Sequence, residues 1–198
     1  MKKTAVLALT IAFLVGTSAL FAQESEKPRG FYFDAGLGLS GMAYFGDVGG
    51  MVTALDQAGF ESFTVSLGAT FGYAITQDIY AVGSLALFLK GMDRGSENID
   101  LTTTLLGVGL RYYPLPSMRV LQLGGDLGLA RIVITTNLPD VPPLSGSDFG
   151  FGLMLSAAID FAASMTGPSF LLGSDFMLAF VQSETVVGFS IFAKFALR

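Results

Sequence analysis

The chain has 198 residues, 52% hydrophobic and 14% charged, with a formal net charge of −5, 25 Gly and no His, Cys or Trp. Soluble domains ordinarily carry about 25% charged residues, so this composition points to a membrane. Without Cys there are no disulfides, thiolate nucleophiles or zinc–thiolate sites, and without His the commonest general base and transition-metal ligand are missing.

The first element reads as a targeting signal. Lys2 and Lys3 precede an apolar run from Ala5 to Val15 and a small-residue zone that ends at Ala22. That is a basic n-region, a short h-region and a cleavage zone, and the run is short for a membrane-spanning helix. Residues 1–22 are therefore expected to be a cleaved signal peptide and 23–29 a short polar leader, leaving 30–198 as one folded domain. Removing residues 1–22 takes away two lysines and no acids, so 9 basic and 16 acidic residues remain. An exported chain of that charge is not expected to bind nucleic acid.

Beyond Gln23 no stretch offers the roughly 20 uninterrupted apolar residues that a spanning helix requires. Alternation with a period of two recurs instead, which is the mark of strands with one apolar face. The first run sets Phe31, Phe33, Ala35, Leu37 and Leu39 against Tyr32, Asp34, Gly36, Gly38 and Ser40; the second sets Phe63 to Ile75 against Thr64, Ser66, Gly68, Thr70 and Gly72. A third run, Ile79 to Leu89, alternates less clearly, with Leu85, Leu87 and Leu89 on one side and Ser84 and Ala86 on the other. The fourth places Leu106, Val108 and Leu110 opposite Gly107, Gly109 and Arg111, and the fifth Leu121, Leu123, Leu127 and Leu129 opposite Gln122, Gly124, Asp126 and Gly128. Phe149 to Ile159, Phe170 to Phe180 and Val187 to Leu197 complete eight such segments.

Six mid-strand charges, Asp34, Arg111, Asp126, Asp160, Asp175 and Lys194, all fall on the small, Gly-rich face, while the apolar stripe carries none. A Lys or Arg on the lipid side at mid-depth costs about 2–4 kcal/mol, so the apolar stripe faces lipid and the charges face a lumen. Closure removes the edge strands that lipid cannot solvate. The expectation is an all-β, eight-stranded antiparallel up-and-down transmembrane β-barrel. Long connections at 45–62 and 135–147 and a medium one at 91–98 alternate with short turns at Thr76–Asp78, Pro114–Ser117 and Ala163–Pro168; the last connection, Ser183–Thr185, is short. Short turns belong in the periplasm. Tyr32, Tyr73, Tyr80, Tyr112 and Tyr113 cluster at the same strand ends, as a headgroup-level aromatic ring would.

With its signal, eight alternating segments, loop asymmetry and last strand Phe189–Arg198, the whole chain resembles the small eight-stranded outer-membrane barrels of diderm bacteria, the OmpW-like and OmpX-like group. The resemblance implies outer-membrane lipid and the barrel-assembly machinery as partners, the latter reading the final strand. That strand usually ends in Phe, whereas this chain ends in Leu197-Arg198.

An eight-stranded barrel is narrow enough for side chains to fill it. Asp34 and Lys194, at similar depth on the first and last strands, are expected to pair, within a lumen network of those six charges. The low-bulk inward residues Gly38, Ser40, Ser66, Gly68, Gly150 and Gly152, fed by Met51, Val52, Leu55, Phe60, Leu138, Val141 and Leu144, admit two readings: a pocket in the outer half, or a loop minicore in which Met51 to Ala58 form one short helix. A pocket there would resemble the small-hydrophobic-molecule route of OmpW-like barrels. Glu184, Lys90 and Arg131 are read as part of a solvated, acidic outer rim. Outer-membrane barrel enzymes generally rely on His, so no catalytic residue, cofactor or metal site is assigned. The expected function is a passive channel or conduit for small, apolar solutes; the alternative is a plugged structural or adhesin-like barrel that meets a host surface through its loops.

Overall fold

Residues 30–76, 78–95, 97–115, 120–137, 145–161 and 167–198 are described by a computed structural model of the chain. The expected signal peptide and leader lie outside them, as do Leu138, Val141 and Leu144. The alternating runs become β1 (Phe31–Phe45), β2 (Glu61–Ala74), β3 (Ile79–Arg94), β4 (Glu97–Tyr112), β5 (Leu121–Asn137), β6 (Ser145–Asp160), β7 (Pro168–Val181) and β8 (Glu184–Leu197), with one helix, α1 (Asp47–Gln57), between β1 and β2.

Each strand pairs antiparallel with its chain neighbour, and β1 pairs with β8 to close the barrel. Following hydrogen-bonded partners once around leaves β5 at Arg131 and returns to it at Leu121, a displacement of ten residues. With standard strand spacings this stagger tilts the strands by about 40° to the barrel axis. We call the end that carries α1 the mouth and the opposite end the base.

The faces separate as the alternation requires. Leu39, Phe63, Phe71, Leu106, Val108, Leu129, Phe149, Phe151 and Ile191 point outward and stay more than half exposed, an apolar area far larger than the isolated patches of soluble monomers. The third run proves to be a full strand. Its inward face is itself largely apolar, with Tyr80, Val82, Ala86, Phe88 and Met92 beside Ser84 and Lys90, which is why its alternation was weak.

Two expectations about the ends need correction. The tyrosines do lie near the base, but only Tyr73 and Tyr112 point outward, whereas Tyr32, Tyr80 and Tyr113 are buried inside. In a strand, a one-residue offset changes the face, and Tyr32 shares the face of Asp34. The long-and-short alternation of connections also fails. At the mouth, only two residues separate β3 from β4, where a medium loop was expected, and the β7–β8 connection is short as expected, while at the base 113–120 and 161–167 are longer. The polar segments read as mouth loops, such as 91–98, continue the ladder past the apolar belt instead: Asp93 pairs with Asn98 and Arg94 with Glu97.

Glycines on the inner face let strands come close together. A Cβ on Gly36 would strike the Ala193 carbonyl, and one on Gly109 the Gly125 carbonyl. They therefore admit neighbouring backbone and do not hollow out a pocket.

Candidate functional site: the filled lumen

From base to mouth the interior is filled in layers of changing chemistry. The lowest layer joins hydrogen-bonding aromatics to an ion pair. Gln122 Nε2 donates to the hydroxyls of Tyr32 at 2.8 Å and Tyr113 at 2.6 Å; the Tyr32 hydroxyl donates to Asp34 at 2.6 Å and the Tyr113 hydroxyl to Asp160 at 3.1 Å. Arg198 pairs with Asp160 at 2.8 Å, its guanidinium 5.1 Å from the centre of the Tyr113 ring. Tyr113 lies one residue beyond β4. Burial pushes its phenol above the ordinary range, so it stays protonated and able to donate. The Tyr32 and Tyr80 rings meet at a tilt of 46° with centres 5.2 Å apart, and the Tyr80 and Tyr113 rings meet edge-on at 6.1 Å.

The next layer holds the remaining charges. Arg111 meets Asp126 at 3.0 Å and also reaches Thr70 at 3.4 Å. The two partners share a face because Asp126 pairs with Gly109, the next inward position along β4. Lys194 lies between Asp175 at 3.6 Å and Asp34 at 3.9 Å, with its ammonium 4.0 Å from the centre of the Phe192 ring. Asp34 is thus shared between Lys194 and the Tyr32 hydroxyl, and register explains the long ion pair: Asp34 lies opposite Ala196, and Lys194 opposite Gly36. All six sequence-predicted charges face inward and are buried. In this low-dielectric setting a lone charge is costly and a partner offsets much of that cost.

Sequence reasoning missed Arg198, Gln122 and the inward tyrosines. The six predicted charges are four acids and two bases, and Arg198 supplies a third base at the base of the lumen. The signal was available, since Arg198 continues the parity of Lys194 and Ala196 along β8.

Towards the mouth the lumen turns apolar. Phe88, Met92, Leu101, Leu105, Ala130, Ile132, Met154, Met177, Val181 and Val186 form one buried cluster. Buried Thr64, Lys90 and Thr136 interrupt this cluster, and Tyr44 and Thr103 share a hydrogen bond at 3.2 Å. The low-bulk positions are taken up. Gly152 faces Leu105, Ala130 and Ala179, and Gly68 faces the Lys194 stem. Between the charged and apolar layers lies a cavity of about 10 Å³ bordered by Ser66, Thr70, Ser84, Asp175 and Lys194, room for about one water.

α1 closes the top. Val52 and Phe60 are buried in the apolar cluster, and Val48, Met51 and Leu55 pack against it half-buried. Of the two readings of Met51, Val52, Leu55 and Phe60, the geometry presents the minicore. The helix is longer than the expected Met51 to Ala58, starting at Asp47. Three rim assignments also change. Glu184 and Lys90 are buried rather than solvated, and Arg131 stands on the outer wall, 5.2 Å from the centre of the Phe149 ring. Among the described residues no group of three or more acids is placed to hold a metal.

The sequence matches no family model and no curated protein. Among solved structures the barrel is similar to Ail, the attachment invasion locus protein of Yersinia pestis, with TM-score 0.59 and 12% identity, covering 85% of this chain and 99% of that one. A second structure of Ail, in complex with the heparin analogue sucrose octasulfate, gives TM-score 0.58 at 12% identity, covering 84% and 99%. Neisserial surface protein A follows with TM-score 0.53 and 12% identity, covering 85% and 96%. At such identity the likeness is one of architecture: a small, closed, eight-stranded antiparallel barrel of the kind found in outer-membrane proteins.

Proposed function

We propose that this chain is a non-enzymatic integral barrel of a diderm outer membrane with a filled lumen, serving as a structural or surface-binding element through its mouth. The observation that carries this reading is the layered filling, from the Tyr32–Gln122–Tyr113 layer through the ion pairs to the apolar cluster and α1. The outward belt supports placement in lipid, because that much apolar surface has no stable place in water. In this reading bilayer lipid contacts the apolar belt of the outer wall, the barrel-assembly machinery inserts the chain, and the signal peptide is cleaved after Ala22 during export. The mature product then starts at Gln23, which intact mass measures.

Conductance in planar bilayers tests the filled lumen. The purified, refolded barrel is expected to stay silent in ordinary salts, and recurrent unitary steps would overturn the reading. A second reading, a conduit for small solutes, draws on the cavity between Ser84, Asp175 and Lys194. Asp126→Asn and Asp175→Asn separate the two, since only a conduit changes its conductance with these charges. Any partner at the mouth is expected to be an external surface, and binding that survives shortening of residues 46–60 would count against it.

A further inference from the structure

The helix that closes the mouth has no N-terminal side-chain cap of its own. Gly46 stands at its N-cap with φ +115° and no side chain to offer. Gly49 and Gly50 occupy its first turns, each costing about 1 kcal/mol in helical propensity, and a helix this short is marginal alone. Its C-terminus is closed locally, with Gly59 at φ +86° and the Gly59 and Phe60 amides donating to the Asp56 and Leu55 carbonyls, but its N-terminal cap comes from elsewhere in the sequence. The Glu184 carboxylate, at the start of β8, accepts hydrogen bonds from the Asp47 and Val48 amides at 2.7 and 3.2 Å. At the other end the last turn contains no basic residue, and Arg94 at the β3–β4 tip donates to the Ala58 carbonyl at 2.9 Å. Arg94 also lies 4.7 Å from the centre of the Phe60 ring and is anchored by Glu97 at 2.7 Å. An anion at the N-terminus and a cation at the C-terminus both complement the helix dipole.

We propose that α1 is a conditional plug, helical and seated only while the β7–β8 and β3–β4 tips hold its two ends, and releasable without opening the wall. β1 is paired with β8 up to Phe45 and β2 with β3 from Glu61, so the helical segment carries none of these ladders, while the β1–β2 ladder itself stops at Leu39 and Val65. The inference rests on the filled-lumen reading and adds that one part of the filling is detachable.

Hydrogen exchange of the full refolded chain in detergent micelles tests it, using Glu184→Ala, Arg94→Ala, the double variant and, as control, the exposed rim change Glu61→Gln. Each latch variant is expected to speed exchange of the 47–57 amides at least tenfold, with a larger effect in the double variant. Strand amides and the heat-dependent gel shift of the folded barrel stay as they were, and the control changes nothing. Unaltered protection of 47–57 in the double variant overturns the proposal, because the helix would then hold itself. Loss of protection that spreads into β1 and β8, or a latch variant that cannot refold, overturns the independence of the wall. Bilayer recordings fail separately: steps from the unaltered chain refute the filled lumen whatever the exchange result.

Discussion

The base and mouth halves of the lumen are lined by the same alternating strands, yet they are filled by opposite chemistry. The base half pairs its buried acids with Arg, Lys and tyrosine hydroxyls, and the mouth half is mostly apolar around buried Lys90 and Thr103. The difference lies in where each half gets its specificity. Ion pairs work only with named partners, because a buried charge that loses its partner keeps its desolvation cost. An apolar layer tolerates change of identity but not of volume.

The sharpest way to break that contrast is to remove one partner and then both. Arg111→Ala is expected to destabilise the barrel by about 3–5 kcal/mol in denaturant titrations, and Arg111→Met with Asp126→Leu is expected to restore most of the loss. Recovery no better than the single change would mean that the base half is held by something other than the pairing. In the mouth half, Leu105→Ala is expected to cost about 2–5 kcal/mol by leaving a cavity, with no polar second-site change able to rescue it. Its neighbour Leu106, outward and more than half exposed, probes the other face of the same strand. There Leu106→Lys is expected to cost about 2–4 kcal/mol in lipid, and equal stability in both proteins would deny that the outer wall meets hydrocarbon. The smallest effect is expected at the base, where Tyr32→Phe loses one hydroxyl between Gln122 and Asp34, about 1 kcal/mol in the same titrations.

Much of this division was legible before the structure, and the reason is parity. A period-two pattern assigns a face to every residue, so Asp34, Arg111, Asp126, Asp160, Asp175 and Lys194 could be placed inside from their spacing alone. Parity also held the position of Arg198 and of Tyr32, Tyr80 and Tyr113. A terminal basic residue reads as solvated, however, and a tyrosine near a strand end reads as an interfacial anchor. The filling of the mouth was harder to read. β3 is apolar on both faces, so Phe88 and Met92 gave no alternation to mark them as inward. The helix at 47–57 was legible only from Met51, because its N-terminus is capped by the distant Glu184 and its first residues include Gly49 and Gly50, while Gly59 marks its other end locally. Loop lengths misled because polar segments past the belt remain paired strands, as Asp93 and Asn98 show.

The natural chain has no Trp, which allows single reporters to be placed on either face in reconstituted bilayers. Leu106→Trp and Phe88→Trp each carry one indole, the first on the outer wall and the second within the mouth filling. Strong quenching of the first by brominated acyl chains is predicted, with the second shielded from both brominated lipid and aqueous acrylamide. An unquenched Trp at 106, or acrylamide reaching the Trp at 88 as freely as it reaches an exposed indole, would contradict a lipid-facing wall around a filled lumen.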